Sequence, residues 1–188
     1  DLRTPLTRMR LALELLPDNV DPKLIERFER NLEAMDALIG DALRFARGTG
    51  ERAEEVDLAP FVADVLGSFE QVIPLQVESA DDLRLPVAPG ALQRVIVNLV
   101  SNGLQHGDDV RVRLHGRQIH VIDSGPGIPE SERDQVFQPF FRLDSSRSFA
   151  TGGSGLGLAI VQQLCQAHGW RVAIQSAPDG GTDVVVTL

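Results

Sequence analysis

The sequence predicts an α+β chain: an N-terminal helical hairpin followed by helices layered on one face of a mixed sheet. Three observations predict it. Apolar residues recur at alternating spacings of 3 and 4 through the first 46 positions, which is the seam of coiled-coil-like helices. From Val56 onward, helical patterns alternate with short strands joined mostly as hairpins, an order that builds α+β layers. Finally, two glycine-rich stretches, Asp123-Ser-Gly-Pro-Gly-Ile-Pro129 and Gly152-Gly-Ser-Gly-Leu-Gly-Leu158, bracket a segment poor in apolar periodicity. The remaining elements are organised around that segment.

In the hairpin, Leu2, Leu6, Met9, Leu13 and Leu16 form the first seam, and Pro17-Asp-Asn19 breaks it. Asp21-Pro22 restarts the chain as an N-cap with proline at the first helical position. Ile25, Phe28, Leu32, Met35, Ile39, Ala42 and Ala46 continue the seam. A lone two-helix hairpin cannot bury both seams. The expectation is a homodimer forming a four-helix bundle; the alternative is a hairpin packed on its own second domain. Residues 1–47 are thus read as the hairpin, 48–55 (Gly48-Thr-Gly50 and an acidic run) as a linker with little to pack, and 56–188 as a second domain.

In that domain Asp57 is expected to cap a helix with core positions Phe61, Val62, Val65, Leu66 and Phe69. Strands fit residues 72–77 and 83–87, and Pro89-Gly90 leads into a helix over 91–106. Strands near 110–114 and 118–122 turn at His115-Gly116, and a helix over 156–168 closes at Gly169. Strands over 171–175 and 182–188 end the chain. Trp170 and Phe69 read as core, and His115 and His120 as surface residues.

The totals exclude some functions. With 188 residues, 43% hydrophobic, the chain can bury one good core plus a smaller element. A net charge of -9 argues against nucleic acid as a partner. The one cysteine, Cys165, sits among apolar residues and predicts a buried thiol in a reducing compartment. No apolar run is long enough to span a bilayer. The expectation is a soluble, cytoplasmic chain, with membrane contact only through segments upstream.

The chemistry points to a nucleotide. Asp123 ends a buried strand, Ile119–Ile122, and the glycines after it let a flat ligand lie close. Gly153, Gly155 and Gly157 precede a helix whose N-terminus suits phosphate; the segment between reads as a lid. On the helix over 91–106, Asn98 and Asn102 share a polar stripe with Arg94, Ser101 and Gln105. Two asparagines four apart mid-helix are either a solvated face or neutral oxygen ligands for a magnesium ion otherwise held by water and phosphate.

Asn98-Leu-Val-Ser-Asn102, Asp123-Ser-Gly-Pro-Gly-Ile128, Val136-Phe-Gln-Pro-Phe-Phe-Arg142, Gly153-Ser-Gly-Leu-Gly-Leu158 and Gly180-Gly-Thr182 fall in order. They resemble the asparagine, first glycine, phenylalanine, second glycine and third glycine boxes of bacterial sensor histidine kinases. That resemblance covers nearly all of residues 56–188 and implies the Bergerat ATP-binding α/β sandwich. Asp1-Leu-Arg-Thr4-Pro5-Leu6 is similar to the phosphoacceptor box, with the chain beginning one residue after its histidine. Read alone, Asp1 and Thr4 are equally N-terminal caps.

By this resemblance ATP and Mg2+ are the expected ligands. Asp123 accepts the adenine amino group, and Asn102, with Asn98 beside it, ligates magnesium. Gly125, Gly127 and Ile128 line the base. Gly153, Gly155, Leu156, Gly157 and Leu158 form the phosphate turn, Arg142 reaches the γ-phosphate, and Thr182 lies near the base. Asp1 orients and deprotonates the histidine, and Thr4 positions water for phosphatase action. The implied partners are a response regulator receiver domain and a second copy of the hairpin. The implied setting is the cytoplasmic part of an inner-membrane sensor. The chain departs from the family pattern at Gln105, where relatives carry Lys or Arg, which shifts the charge load to Arg142 or Arg147. His106 replaces a tyrosine and either stacks on adenine or ends the helix. Phe140 reads as a mobile latch, Phe137 and Phe141 as latch or fixed packing. Rival readings are an ATPase of the same superfamily and a nucleotide-binding regulatory module.

Overall fold

The structure, a computed structural model, describes residues 51–78, 83–107, 109–143, 155–178 and 180–188. The hairpin over 1–47, with Asp1 and Thr4, lies outside them, as do Gly153 and Arg147.

The first strand, β1 (Glu54–Asp57), pairs antiparallel with β3 (Arg84–Val87), Glu54 opposite Val87. Glu54 and Glu55, expected in the linker, are therefore ladder residues. Extending the register three residues brings Glu51 opposite Gly90. There its carboxylate accepts hydrogen bonds from the Gly90 and Ala91 amides, both at 2.8 Å. These amides open α2 (Pro89–His106), whose own N-cap, Ala88, offers no side-chain acceptor. A carboxylate against the positive end of a helix supplies that cap from a distant part of the chain. Residues expected to pack little are thus tied to the domain.

Helix α1 (Leu58–Leu66) buries Leu58, Val62, Val65 and Leu66, with Phe61 and Phe69 half-buried against the same core. Asp57 stands at its N-cap position but makes no side-chain capping bond, contrary to expectation; the Leu58 amide instead donates to the Leu83 carbonyl at 3.1 Å. Strand β2 (Leu75–Val77) starts later than the sequence suggests. Pro74 has no N–H to offer a ladder, and Val72 before it is left 89% exposed.

Strands β4 (Arg111–His115) and β5 (Gln118–Asp123) form a hairpin, and β6 (Arg171–Ser176) and β7 (Thr182–Thr187) form another. The sheet order is β2-β4-β5-β7-β6, with β2 parallel to β4 and the other pairs antiparallel. Between the hairpins runs α3 (Gly157–His168), stopped by Gly169 at φ 72°. Val112, Leu114, Ile119, Val121, Val184 and Val186 join Leu92, Ile96, Val161 and Leu164 in one hydrophobic cluster. Alternate residues of the strands enter that cluster and meet the apolar faces of the helices, which produces the predicted α+β layering.

Trp170 is buried as expected, its ring stacked on His168 with centroids 5.0 Å apart. Burial also pushes the Cys165 thiol up to about 12. His120 corrects the expectation of a surface residue. It is 7% exposed, and its Nδ1 lies 3.0 and 3.2 Å from the Asp183 carboxylate oxygens. Gln175 Nε2 donates to the same carboxylate at 2.8 Å. The reason is position: β5 is the central strand, and every residue from Ile119 to Asp123 is buried. His115, at the strand end, is exposed as expected.

Candidate functional site

A cavity of about 840 Å3 lies between the polar stripe of α2, the end of β5 and the turn into α3. That size suits a nucleotide-scale ligand. The polar stripe contributes Arg94, Asn98, Ser101, Asn102 and Gln105, because the opposite face of α2 is committed to the core.

Asp123 closes one end. It is 9% exposed, lines the cavity, and its Oδ1 accepts from the Gly125 amide at 2.8 Å. The second carboxylate oxygen remains for a ligand donor. Thr182, also lining the cavity, is its register partner on β7. Glycines give this carboxylate its space. A Cβ at Gly107 would lie 2.8 Å from both Asp123 Oδ1 and the Gly125 nitrogen, and one at Gly125 would lie 2.7 Å from the His106 carbonyl oxygen. Gly107 was missed in the sequence because a glycine after a helix reads as a cap; its φ of -137° is ordinary extended backbone, and contact alone requires it. Gly181, where a Cβ would overlap the Asp123 carbonyl, lets the chain entering β7 lie against the Asp123 and Ser124 backbone.

At the other end stands the turn into α3. Gly155 has φ 71°, and a Cβ there would sit 3.0 Å from the Phe140 backbone. The Phe140 amide donates to the Gly155 carbonyl at 2.9 Å, so the lid segment is clamped to the glycine turn. Leu156 and Leu158 anchor this turn in the core, and Leu156 as N-cap supplies no side-chain cap to the first amides of α3. The first amides of a helix and its dipole favour an anion. The lid phenylalanines separate by burial. Phe137 is core, Phe141 packs against it, and Phe140 is 62% exposed with φ 66°.

Of the expected residues, the structure brings Asn98, Asn102, His106, Asp123, Gly127, Ile128, Arg142, Gly155, Gly157, Leu158 and Thr182 around one cavity. Gly125 holds the Asp123 carboxylate from beside it, and Phe140 touches the turn by its backbone. Ile128 packs on the core while its carbonyl accepts from Arg133 Nε at 3.2 Å. His106 is the last residue of α2, one of its two expected roles, and it also lines the cavity. Sequence reasoning missed the lining by Gln93, Arg94, Val97, Val136 and Leu143; Arg94 was on the predicted polar stripe without a role.

The donor set fits magnesium of the loosely held kind. No cluster of three or more His, Cys, Asp or Glu exists among the described residues, so no all-protein cage forms there. Asn98 commits its amide nitrogen to the Arg94 carbonyl at 2.7 Å, which fixes Oδ1 as the acceptor, and Gly157 lies close to that oxygen. Neutral oxygens beside a glycine turn suit an ion that keeps waters and a ligand's oxygens as its other partners.

The model of the histidine kinase-, DNA gyrase B-, and HSP90-like ATPases matches residues 88–188, and that of the His Kinase A (phospho-acceptor) domain matches residues 1–51. Sensor histidine kinase GtrS of Pseudomonas aeruginosa is 36% identical over 100% of this chain. The chain spans 40% of the length of that relative. Among solved structures, the mycobacterial sensor histidine kinase MprB is 28% identical with a TM-score of 0.58, covering 72% of this chain and 96% of that one. Full-length ShkA in complex with AMPPNP matches in fold, with a TM-score of 0.70 at 23% identity over 98% of this chain and 42% of that one.

Proposed function

Because the chain belongs to the family of histidine kinase-, DNA gyrase B-, and HSP90-like ATPases and carries the phospho-acceptor domain in front, we propose that it is the core of an ATP-dependent protein-histidine kinase. The observation that carries this is the cavity itself: a buried acceptor, Asp123, at one end, and a helix N-terminus with paired amide oxygens at the other.

Asp123 accepts the adenine amino group through the oxygen that Gly125 leaves open, with Thr182, Gly127 and Ile128 around the base. Guanine has no amino group there, so the acceptor selects the purine. The amides from Gly155 to Leu158 hold the phosphates, and Arg142 approaches from the lid. Asn102 and Asn98 would hold a magnesium ion, which would supply neutralisation of phosphate charge. The acceptor is a histidine immediately before Asp1. In the transfer, the bond from the γ-phosphorus to its bridging oxygen breaks as one forms to the imidazole nitrogen. ADP leaves with the electron pair, and the Asp1 carboxylate takes the imidazole proton. Catalysis here is positioning and charge stabilisation, which a rigid cleft supplies.

The phosphoryl group then passes to an aspartate of a response regulator receiver domain docked on the hairpin, and Thr4 positions water when the kinase runs as a phosphatase. The hairpin pairs with a second copy, and the sensor lies upstream, across an inner membrane. The chain from Asp1 onward binds ATP without labelling itself. The test is γ-labelled ATP on a chain carrying a histidine immediately before Asp1. Acid-labile, alkali-stable label dependent on that histidine is expected. A dimer that binds ATP and never labels would leave an ATPase or a regulatory module as the function.

A further inference from the structure

The charge of the cavity points to a residue beyond those already assigned. ATP with one magnesium ion still carries net negative charge, and phosphoryl transfer moves charge toward the leaving oxygen. Gln105 contributes none to offset it. The arginines lining the cavity, among the described residues, are Arg142 on the lid and Arg94 on α2.

The direction of the ligand along α2 follows from its contacts. Gly103 and Gly107, at the C-terminal end, abut Asp123, whereas Asn98 faces Gly157 at the phosphate turn. Base end and phosphate end are therefore about 7.5 Å apart on the helix, five residues at about 1.5 Å each, and Arg94 stands about 6 Å further on, one turn past Asn98. Arg94 is also held. Its Nε donates to the Gly90 carbonyl at 3.2 Å, and the Gly90 amide is in turn fixed by Glu51. This tether on one edge of the guanidinium leaves the two terminal nitrogens as donors for the cavity that Arg94 lines. A fork of that kind matches a terminal phosphate.

We propose that Arg94 binds the γ-phosphate of ATP and neutralises the charge that develops as that group is transferred. This rests on the ATP-site reading above. A γ-phosphate ligand makes a distinctive prediction, because ADP lacks the group it touches. Calorimetry with AMPPNP and with ADP, magnesium present, compares the 1–188 chain with Arg94→Gln and Arg94→Lys. Arg94→Gln is expected to weaken AMPPNP about tenfold or more, the scale of a lost charge-assisted hydrogen bond, and to leave ADP within about twofold. Arg94→Lys recovers part of the loss, since it keeps the charge and loses the fork. Intact ADP binding also reports that the variant is folded. Equal weakening of both nucleotides, or no weakening of either, overturns the assignment while wild-type binding keeps the ATP site. Failure of the wild type to bind either nucleotide overturns both.

Discussion

At the scale of single residues, the site is a matter of which oxygen faces where. Asp123 spends one carboxylate oxygen on the Gly125 amide, which leaves the other for the proposed adenine contact. Asp123→Asn retains the first bond and presents an NH2 group in place of the second acceptor. ATP affinity is expected to fall by about 10- to 100-fold, the scale of a hydrogen bond to a charged group, with preference over GTP reduced; competitive titration checks both. Gly107→Ala places a methyl 2.8 Å from Asp123 Oδ1 and from the Gly125 nitrogen. One neighbour is backbone and the other a buried carboxylate oxygen held by the Gly125 amide, so a loss of about 1–3 kcal/mol in urea unfolding is expected, with weakened ATP binding. This residue was hidden in the sequence because contact across the fold, not local conformation, requires glycine there. Asp123, by contrast, was legible: an acid at the end of an apolar run followed by glycines has few other uses.

Cys165 gives a pH dependence. Its native thiol is pushed up to about 12 by burial, while an unfolded cysteine titrates near about 8.5. Between those values the unfolded chain has lost a proton that the native chain keeps. Stability from this group is therefore full below about 8.5 and falls as pH rises toward 12. Cys165→Val is expected to flatten the alkaline loss in unfolding curves taken from pH 8 to pH 10. An unchanged slope would assign the loss to other groups.

At the scale of elements, the helices were more legible than their ends. The apolar period of α2 predicted both its core face and its polar stripe, and the structure keeps both. Its cap was not readable, because the capping group comes from Glu51, 39 and 40 residues away in sequence from the amides it receives. Glu51→Ala removes that acceptor, and a destabilisation of about 1 kcal/mol is expected in chemical unfolding of the described domain, with faster amide exchange at Gly90 and Ala91. His120 failed for a related reason. A polar residue in a strand reads as outward-facing, but the central strand of this sheet buries residues on both sides, and Asp183 arrives from β7 to meet it. The run Ile119–Ile122 already carried the signal of two-sided burial. The lid divides in the same way: its phenylalanine spacing was visible, but only packing distinguishes buried Phe137 from exposed Phe140.

At the scale of the whole molecule, one layer of helices on one sheet leaves a cleft where α2, α3 and the β5 end diverge, and the candidate residues gather there from boxes spread over nearly 90 positions. The order of those boxes was readable; their convergence depends on the long-range antiparallel pairing of β5 with β7, which brings Thr182 beside Asp123. The opposite sheet face holds the His120–Asp183 pair with Gln175 and takes no part in the proposed chemistry. The most direct measurement is therefore residue-resolved: amide NMR of the 15N-labelled chain titrated with ATP and magnesium. The predicted result is saturable shifts at Asn102, Asp123, Gly125, Gly155 and Gly157, with His120, Gln175 and Asp183 unmoved. Shifts confined to the His120 face, or none at millimolar ATP, would contradict the site.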